Sequence, residues 1–218
     1  GELVEFGSAT NKNSSGFDLS RLLIGSEGGL ALVVEATLKL TPRPDARQML
    51  RALFRDVESA AHAVARVMNQ ANTPSMLEFM DATSIRLARE IGGADIEDAG
   101  ALILLETDGE PHLLSSQLQG LANYLQGDGC ISIDIASSDA EQAQLMAARK
   151  ALSPALRSLA SGKINEDVVV PVSQVPALVR FVEKLSAEQQ LLIVCFGHIV
   201  NGNVHVNIIY EKSDIEQT

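Results

Sequence analysis

The chain lacks any run approaching the roughly 20 consecutive apolar residues that a membrane-spanning helix requires. It also lacks a charged-then-apolar leader of the secretory kind. Low-complexity tracts and short-period repeats are absent too. Cysteine is scarce: Cys130 and Cys195 are the two in 218 residues, and both sit in or beside apolar runs. Two free, buried thiols in a reducing compartment are expected, not a disulfide. Positive charge is in deficit, with a formal net charge of −11. An acidic chain repels phosphate backbones, which argues against a nucleic-acid partner. Together these features lead us to expect a cytoplasmic protein, with peripheral attachment to the inner face of a membrane as the variant.

What is present is a large apolar fraction, 46% of the residues, enough for a sizeable core. Gly1 to Gly7 alternates like a strand already under way, with no initiator Met, so a fragment of a longer protein is expected. A polar loop follows, Ser8 to Gly16, then the Gly-rich turn Gly25-Ser26-Glu27-Gly28-Gly29 and a strand-like run from Leu30 to Leu40. Thr41-Pro42-Arg43-Pro44 breaks both helix and sheet, which sets a domain boundary at 42/43.

Beyond residue 45 the pattern alternates between strand and helix. Strands are expected at Gln48–Phe54, Met76–Met80, Ala101–Thr107, Cys130–Ala136, Asn165–Val170, Leu191–Phe196 and Asn203–Tyr210. Asp56, Asp81 and Ser138 are placed to cap helices, and Pro111 to open one. The helix after Ser138 is expected to be interrupted at Ser153-Pro154, and Ser173 to cap the last one, through Leu185. The series predicts an α+β fold: a ferredoxin-like domain with an antiparallel or mixed sheet and helices on one face.

The strongest local signal is Cys195-Phe196-Gly197-His198-Ile199-Val200-Asn201-Gly202-Asn203-Val204-His205-Val206-Asn207. Asn-Gly between apolar runs predicts a two-residue hairpin turn, because both turn positions need positive φ. That register opposes His198 and His205 directly, with Cβ atoms about 4.5–5.5 Å apart. Asn203, His205 and Asn207 then share a polar face, while Val204, Val206 and Ile208 face the core. Two adjacent imidazoles can share a divalent metal or, protonated, bind an anion.

Three segments extend this reading. They are Gly16-Phe17-Asp18-Leu19, then Leu23-Ile24-Gly25-Ser26-Glu27-Gly28-Gly29-Leu30, then Glu35-Ala36-Thr37-Leu38-Lys39-Leu40. Together they resemble the end of the FAD-binding domain of the FAD-linked oxidase family. That family includes D-lactate dehydrogenases, the glycolate oxidase FAD subunit and D-2-hydroxyglutarate dehydrogenase. Lys163 to Pro171 resembles a stretch of the family's C-terminal substrate domain, and the hairpin resembles its metal-binding motif.

The resemblance implies residues 1–42 as the C-terminal part of an α+β FAD-binding domain and 43–218 as a substrate domain incomplete at its C-terminus. It implies FAD against Gly25, Ser26, Glu27, Gly28, Gly29 and Leu30, and a divalent metal, zinc, on His198 and His205. Arg149 matches a substrate-carboxylate clamp and Asn207 a substrate contact. Ser153 would share the face of Arg149, one helical turn on. Lys163 and Asn165 lie where the family has polar contacts, with either one pointing inward. The implied substrate is a D-2-hydroxyacid, and the electron acceptor a quinone, cytochrome or partner subunit, with a homodimer open to it. A further metal ligand and a base, from a Glu-His segment, would lie beyond residue 218. Phe17 stands where the family usually has Tyr, and Gly29-Leu30-Ala31 where it has Thr-Leu-Gly. Ile199 to Val204 replaces Ala-Gly-Asp-Gly-Asn-Leu. The rival expectation is a non-catalytic binding module that keeps the fold without flavin.

Overall fold

The computed structural model describes residues 1–10 and 12–214; Asn11, within the first polar loop, and 215–218 lie outside the described residues. The chain divides into Gly1–Arg43 and Pro44–Thr218.

In the first unit the described residues form one short helix, α1 (Leu19–Leu23), and no strand. The strands expected at 1–7 and 30–40 are therefore not formed. The physical reason is the absence of a partner: an apolar extended segment becomes a strand only when a neighbour takes up its N–H and C=O groups. Leu32 and Leu40 are more than 80% exposed. The Gly-rich segment is a tight turn, closed by Ser26 N–H to the Leu23 carbonyl (3.1 Å) and Gly29 N–H to the Ser26 carbonyl (2.7 Å). Gly25, Glu27 and Gly28 have φ of 81°, 48° and 81°, so left-handed backbone recurs through the turn.

Among its described residues the second unit is a seven-stranded sheet with five α-helices. In chain order these are β1 (Ala46–Phe54), α2 (Val57–Met68), β2 (Met76–Asp81), α3 (Ala82–Glu90), β3 (Ala101–Gly109) and α4 (Pro111–Leu125). There follow β4 (Cys130–Ile135), α5 (Asp139–Leu159), β5 (Gly162–Val169), α6 (Val175–Gln189), β6 (Leu192–His198) and β7 (Asn203–Tyr210). The strand order is β4-β1-β3-β2-β6-β7-β5, antiparallel throughout. The first four positions are the ferredoxin-like arrangement, and β6-β7-β5 extend its edge.

Helices cover both faces, not one. Phe54, Phe79, Ile103 and Val204 pack with α2, α4 and α6. Leu53, Met80, Leu104 and Phe196 pack with α3 and α5 on the opposite side. The unbroken run Ala101-Leu102-Ile103-Leu104-Leu105, all buried, requires this, because successive residues of a strand point to opposite faces.

Asp56, Asp81 and Ser138 each cap a helix, accepting from Ser59 N–H (2.7 Å), Ser84 N–H (2.7 Å) and Glu141 N–H (3.3 Å). Two helix expectations are corrected. Helix α5 runs through Pro154. Buried Leu152, Ala155 and Leu156 hold the turn where proline withdraws one backbone hydrogen bond. Ser173 does not cap α6; it lies in a 3-10 turn, Val172–Gln174, and Gln174 precedes the helix. Pro176, with its φ already fixed, sits in the first turn of α6.

Asp81 also ties β2 to β6, for its second carboxylate oxygen accepts from Cys195 N–H (2.8 Å). Full burial pushes its pKa up to about 6 against these hydrogen bonds. A raised folded-state value means that the native form holds a proton the unfolded chain has released. The contribution of Asp81 to stability should therefore be fully present below about pH 4 and be lost, by about 3 kcal/mol, as pH rises through about 6. Urea denaturation across that interval checks this, and Asp81→Asn should flatten the slope. Cys195 and Cys130 are both free thiols.

Candidate active site

The hairpin register differs from the expected one by two residues. His198 opposes Asn203, and Phe196 opposes His205. Residues Ile199–Asn201 form a 3-10 turn and Gly202 alone takes the left-handed conformation, with φ 66°. Asn201 is not in positive φ, so the two-residue turn does not form. The longer loop is fixed by the residue that follows β5: Val170 N–H donates to the Gly202 carbonyl (3.1 Å). A Cβ at Gly202 would lie 1.8 Å from the Val170 carbonyl oxygen, so only glycine fits there. A shift of two preserves the face. His198 and His205 are diagonal neighbours, their rings edge to face with centroids 5.3 Å apart.

The same face collects residues from β2, β5 and α5. On β2, Glu78 is 5% exposed. Its Oε1 accepts from His198 Nδ1 (2.6 Å) and its Oε2 from Arg149 Nε (2.8 Å). Arg149, on α5, lies with its guanidinium carbon 4.4 Å from the centroid of the Phe196 ring. Phe196 in turn tilts against His205, centroids 5.7 Å apart. Among the described residues no acceptor engages the two Nη groups of Arg149.

Strand β5 runs beside β7, with Asn165 opposite Asn207 and Asp167 opposite His205. Asp167 accepts from His205 Nδ1. The His205 hydrogen bond is the main cause that holds its carboxyl below the usual carboxylate range. Lys163 and Asn165 are two apart and face the same way. Lys163 is half-buried and donates to Ser153 Oγ (3.5 Å), whereas Asn165 is exposed. Burial, with Arg157 nearby, lowers the pKa of the Lys163 ammonium.

Asn207 is fully buried. Its Nδ2 donates to the His205 carbonyl (3.2 Å), and its Oδ1 has no partner among the described residues. A buried oxygen left unbonded costs about 1–3 kcal/mol, so it marks a place where a donor belongs.

Arg149, Ser153, Lys163, Asn165, His198, His205 and Asn207 thus come together on one sheet face. Gly25 to Leu30 belong to the first unit. Glu78 and Asp167 were not singled out from the sequence. Asp167 stands two residues after Asn165 inside the Lys163–Pro171 stretch, and strand alternation puts it on the face of Lys163 and Asn165. Glu78 interrupts the apolar strand Met76–Met80, the pattern of a buried charge that must have a partner.

Both imidazoles are held at Nδ1 by a carboxylate, which leaves each Nε2 as the free ring nitrogen. This is the donor arrangement of histidine metal ligands backed by carboxylates, and it fits a divalent cation. Among the described residues no group of three or more His, Cys, Asp or Glu side chains gathers to hold a metal. Two His ligands are therefore what the described chain offers. The Gly25 turn combines repeated left-handed backbone with open space, since a Cβ at Gly25 would meet nothing.

An antiparallel α+β sheet, sheltering an Arg, a Lys and two carboxylate-backed histidines on one face, defines the class. The chain belongs to the family described as FAD linked oxidases, C-terminal domain, which matches residues 43–218. It is 30% identical over 94% of its length to the glycolate oxidase subunit GlcD of Bacillus subtilis, covering 44% of that protein. It is 34% identical over 96% of its length to the D-2-hydroxyglutarate dehydrogenase of Xanthomonas citri pv. viticola, covering 45% of that one. It is 29% identical over 97% of its length to a D-lactate dehydrogenase of Archaeoglobus fulgidus, covering 46%. The chain thus spans less than half the length of these relatives. Among solved structures, an alkyldihydroxyacetonephosphate synthase shares the fold at a TM-score of 0.65 and 16% identity, over 90% of this chain and 43% of that one.

Proposed function

We propose that this chain is the substrate-binding part of a flavin-dependent oxidoreductase that oxidises a D-2-hydroxyacid of the lactate, glycolate or 2-hydroxyglutarate class. The observation that carries this reading is the convergence of Arg149, Lys163, His198, His205 and Asn207 on one sheet face. Relatives named for glycolate, D-lactate and D-2-hydroxyglutarate support the same substrate class.

When bound, FAD supplies the two-electron acceptor for such an oxidation, and a divalent cation on the free nitrogens of His198 and His205 supplies Lewis acidity toward the substrate hydroxyl. The chain's own residues do the positioning. Arg149 has spent Nε on Glu78, so its two Nη groups receive the substrate carboxylate as a fork. Lys163, steadied by Ser153, adds a second positive charge and keeps the anion on this face. Asn207 Oδ1 accepts a hydrogen bond from the substrate hydroxyl, which gives that buried oxygen its partner. Phe196 closes the floor between Arg149 and His205. Gly25 to Leu30, in the first unit, would present their backbone to the flavin; in the second unit Asn165 lies exposed beside the residues named above. The electrons would leave to an external acceptor of quinone, cytochrome or partner-subunit type.

The test uses the full-length protein under anaerobic conditions. Glycolate, D-lactate and D-2-hydroxyglutarate are added in turn, and bleaching of the oxidised flavin absorbance is followed. One of the three should bleach it within a turnover. A protein purified with no flavin absorbance, or one that none of the three reduces, would sink the reading.

A further inference from the structure

Among the described residues, Glu78 is the one carboxylate that bonds both Arg149 and His198. It lies on β2, where Phe79 opposes Gly197 and Met80 opposes Phe196. Carrying that register one step further sets Glu78 opposite His198. We propose that Glu78 is a positioning residue that couples carboxylate recognition by Arg149 to metal ligation by His198, an inference that rests on the function proposed above.

The argument is one of donors and acceptors. Glu78 Oε1 takes the Nδ1 proton of His198 at 2.6 Å, and Oε2 takes the Nε proton of Arg149 at 2.8 Å. The first bond turns Nε2 of the imidazole outward as the free nitrogen. The second leaves both Nη groups of the guanidinium for another anion. Only a group with two acceptor oxygens can do both. Glutamine in this place would turn its amide N–H₂ toward either the His198 or the Arg149 donor, so one contact would be lost and the other would keep a neutral acceptor in place of a charged one, which weakens both. Burial strengthens the arrangement, because Glu78 is 5% exposed and water cannot substitute for either partner.

Asp167 supplies the contrast. It holds the other imidazole, His205, but its side chain is 59% exposed and it makes no contact with Arg149 among the described residues. A carboxylate that only orients a ligand should affect the metal alone. Glu78 should affect the metal and the acid substrate together.

The experiment uses the full-length protein in four forms: wild type, Glu78→Gln, Asp167→Asn and His198→Ala. Metal affinity is read with Co²⁺ against a competing chelator. Hydroxyacid affinity is read separately on chelator-treated protein, by titrating D-lactate and glycolate and following the flavin absorbance. Glu78→Gln is expected to weaken Co²⁺ binding about 10- to 100-fold, the range found for outer carboxylates of metal-bound histidines. It should also weaken hydroxyacid binding to the metal-free protein by at least about tenfold, one lost charge-assisted contact. Asp167→Asn should weaken Co²⁺ binding alone.

A Glu78→Gln protein with only one of the two affinities changed, or with neither, overturns the coupling. Wild-type Co²⁺ affinity in His198→Ala overturns the metal reading itself, and the coupling with it. If Glu78→Gln fails to fold, Glu78→Asp keeps both acceptors on a side chain one methylene shorter and should loosen both affinities in the same direction. Unchanged affinities there would equally overturn the inference.

Discussion

Arg149→Ala in the full-length protein is expected to lower kcat/KM for the hydroxyacid by about three orders of magnitude, and to destabilise the domain as well. Two separate losses combine. The proposed contact between the Nη groups and the substrate carboxylate disappears, and a desolvated, charge-assisted pair of this kind costs about 2–5 kcal/mol when truncated. About 4 kcal/mol corresponds to a thousandfold. The second loss falls on the protein itself. The Arg149 and Glu78 side chains are 15% and 7% exposed, so removing the guanidinium strands a buried carboxylate with His198 as its remaining partner. Breaking such a pair from one side costs about 3 kcal/mol or more. The stacking of the guanidinium on Phe196 is lost too. Arg149→Lys separates the effects. It keeps the charge near Glu78 and should recover most of the stability in urea denaturation. It cannot present a planar fork, so kcat/KM should stay well below wild type. Wild-type kinetics in Arg149→Ala would remove Arg149 from the site and leave its bond to Glu78 as a purely structural one.

The sequence showed the site's residue types more readily than its wiring. Strand periodicity and helix caps located the elements of the second unit to within a few residues, because Asp56, Asp81 and Ser138 use local hydrogen bonds that do not depend on the rest of the fold. The shared face of His198, His205 and Asn207 was legible for a similar reason: a two-residue slip leaves face parity intact. The register itself was not legible. It depends on Val170 N–H docking on Gly202, a contact between segments about 30 residues apart in sequence that no local turn preference encodes. Helices on both faces were foreshadowed by the uninterrupted apolar run Ala101–Leu105, which a half-exposed strand would not carry. Glu78 was hidden because its two partners come from β6 and α5, more than 70 residues away, and nothing near it in sequence announces either. In the first unit local pattern misled: Leu30 to Leu40 has the composition of a strand, but a strand also needs a neighbour.

His205→Ala is expected to abolish turnover in the full-length protein while leaving the flavin absorbance intact. His205 stands at the centre of the proposed site: its ring meets His198 edge to face, it leans on Phe196, and its Nδ1 is held by Asp167. Alanine leaves His198 as the only histidine on this face, and a metal site reduced to one imidazole loses the chelation that two fixed donors provide. The loss should exceed the 10- to 100-fold expected for Asp167→Asn, which removes only the support behind the ring. Asp167 should tolerate the change, since it is left largely in water, and the stability cost is that of the ring packing lost against Phe196 and His198. Flavin binding should persist because the segment assigned to the cofactor, Gly25 to Leu30, shares no residue with the hairpin. That separation makes the variant informative. Lost flavin absorbance would mean that the substitution unfolded the protein, or that the hairpin helps hold the cofactor, and either would contradict the division of roles proposed here. Intact flavin with unchanged turnover would show that the imidazole takes no part in the reaction. Intact flavin with no turnover, together with a graded loss in Asp167→Asn, is the pattern that two carboxylate-backed histidines require.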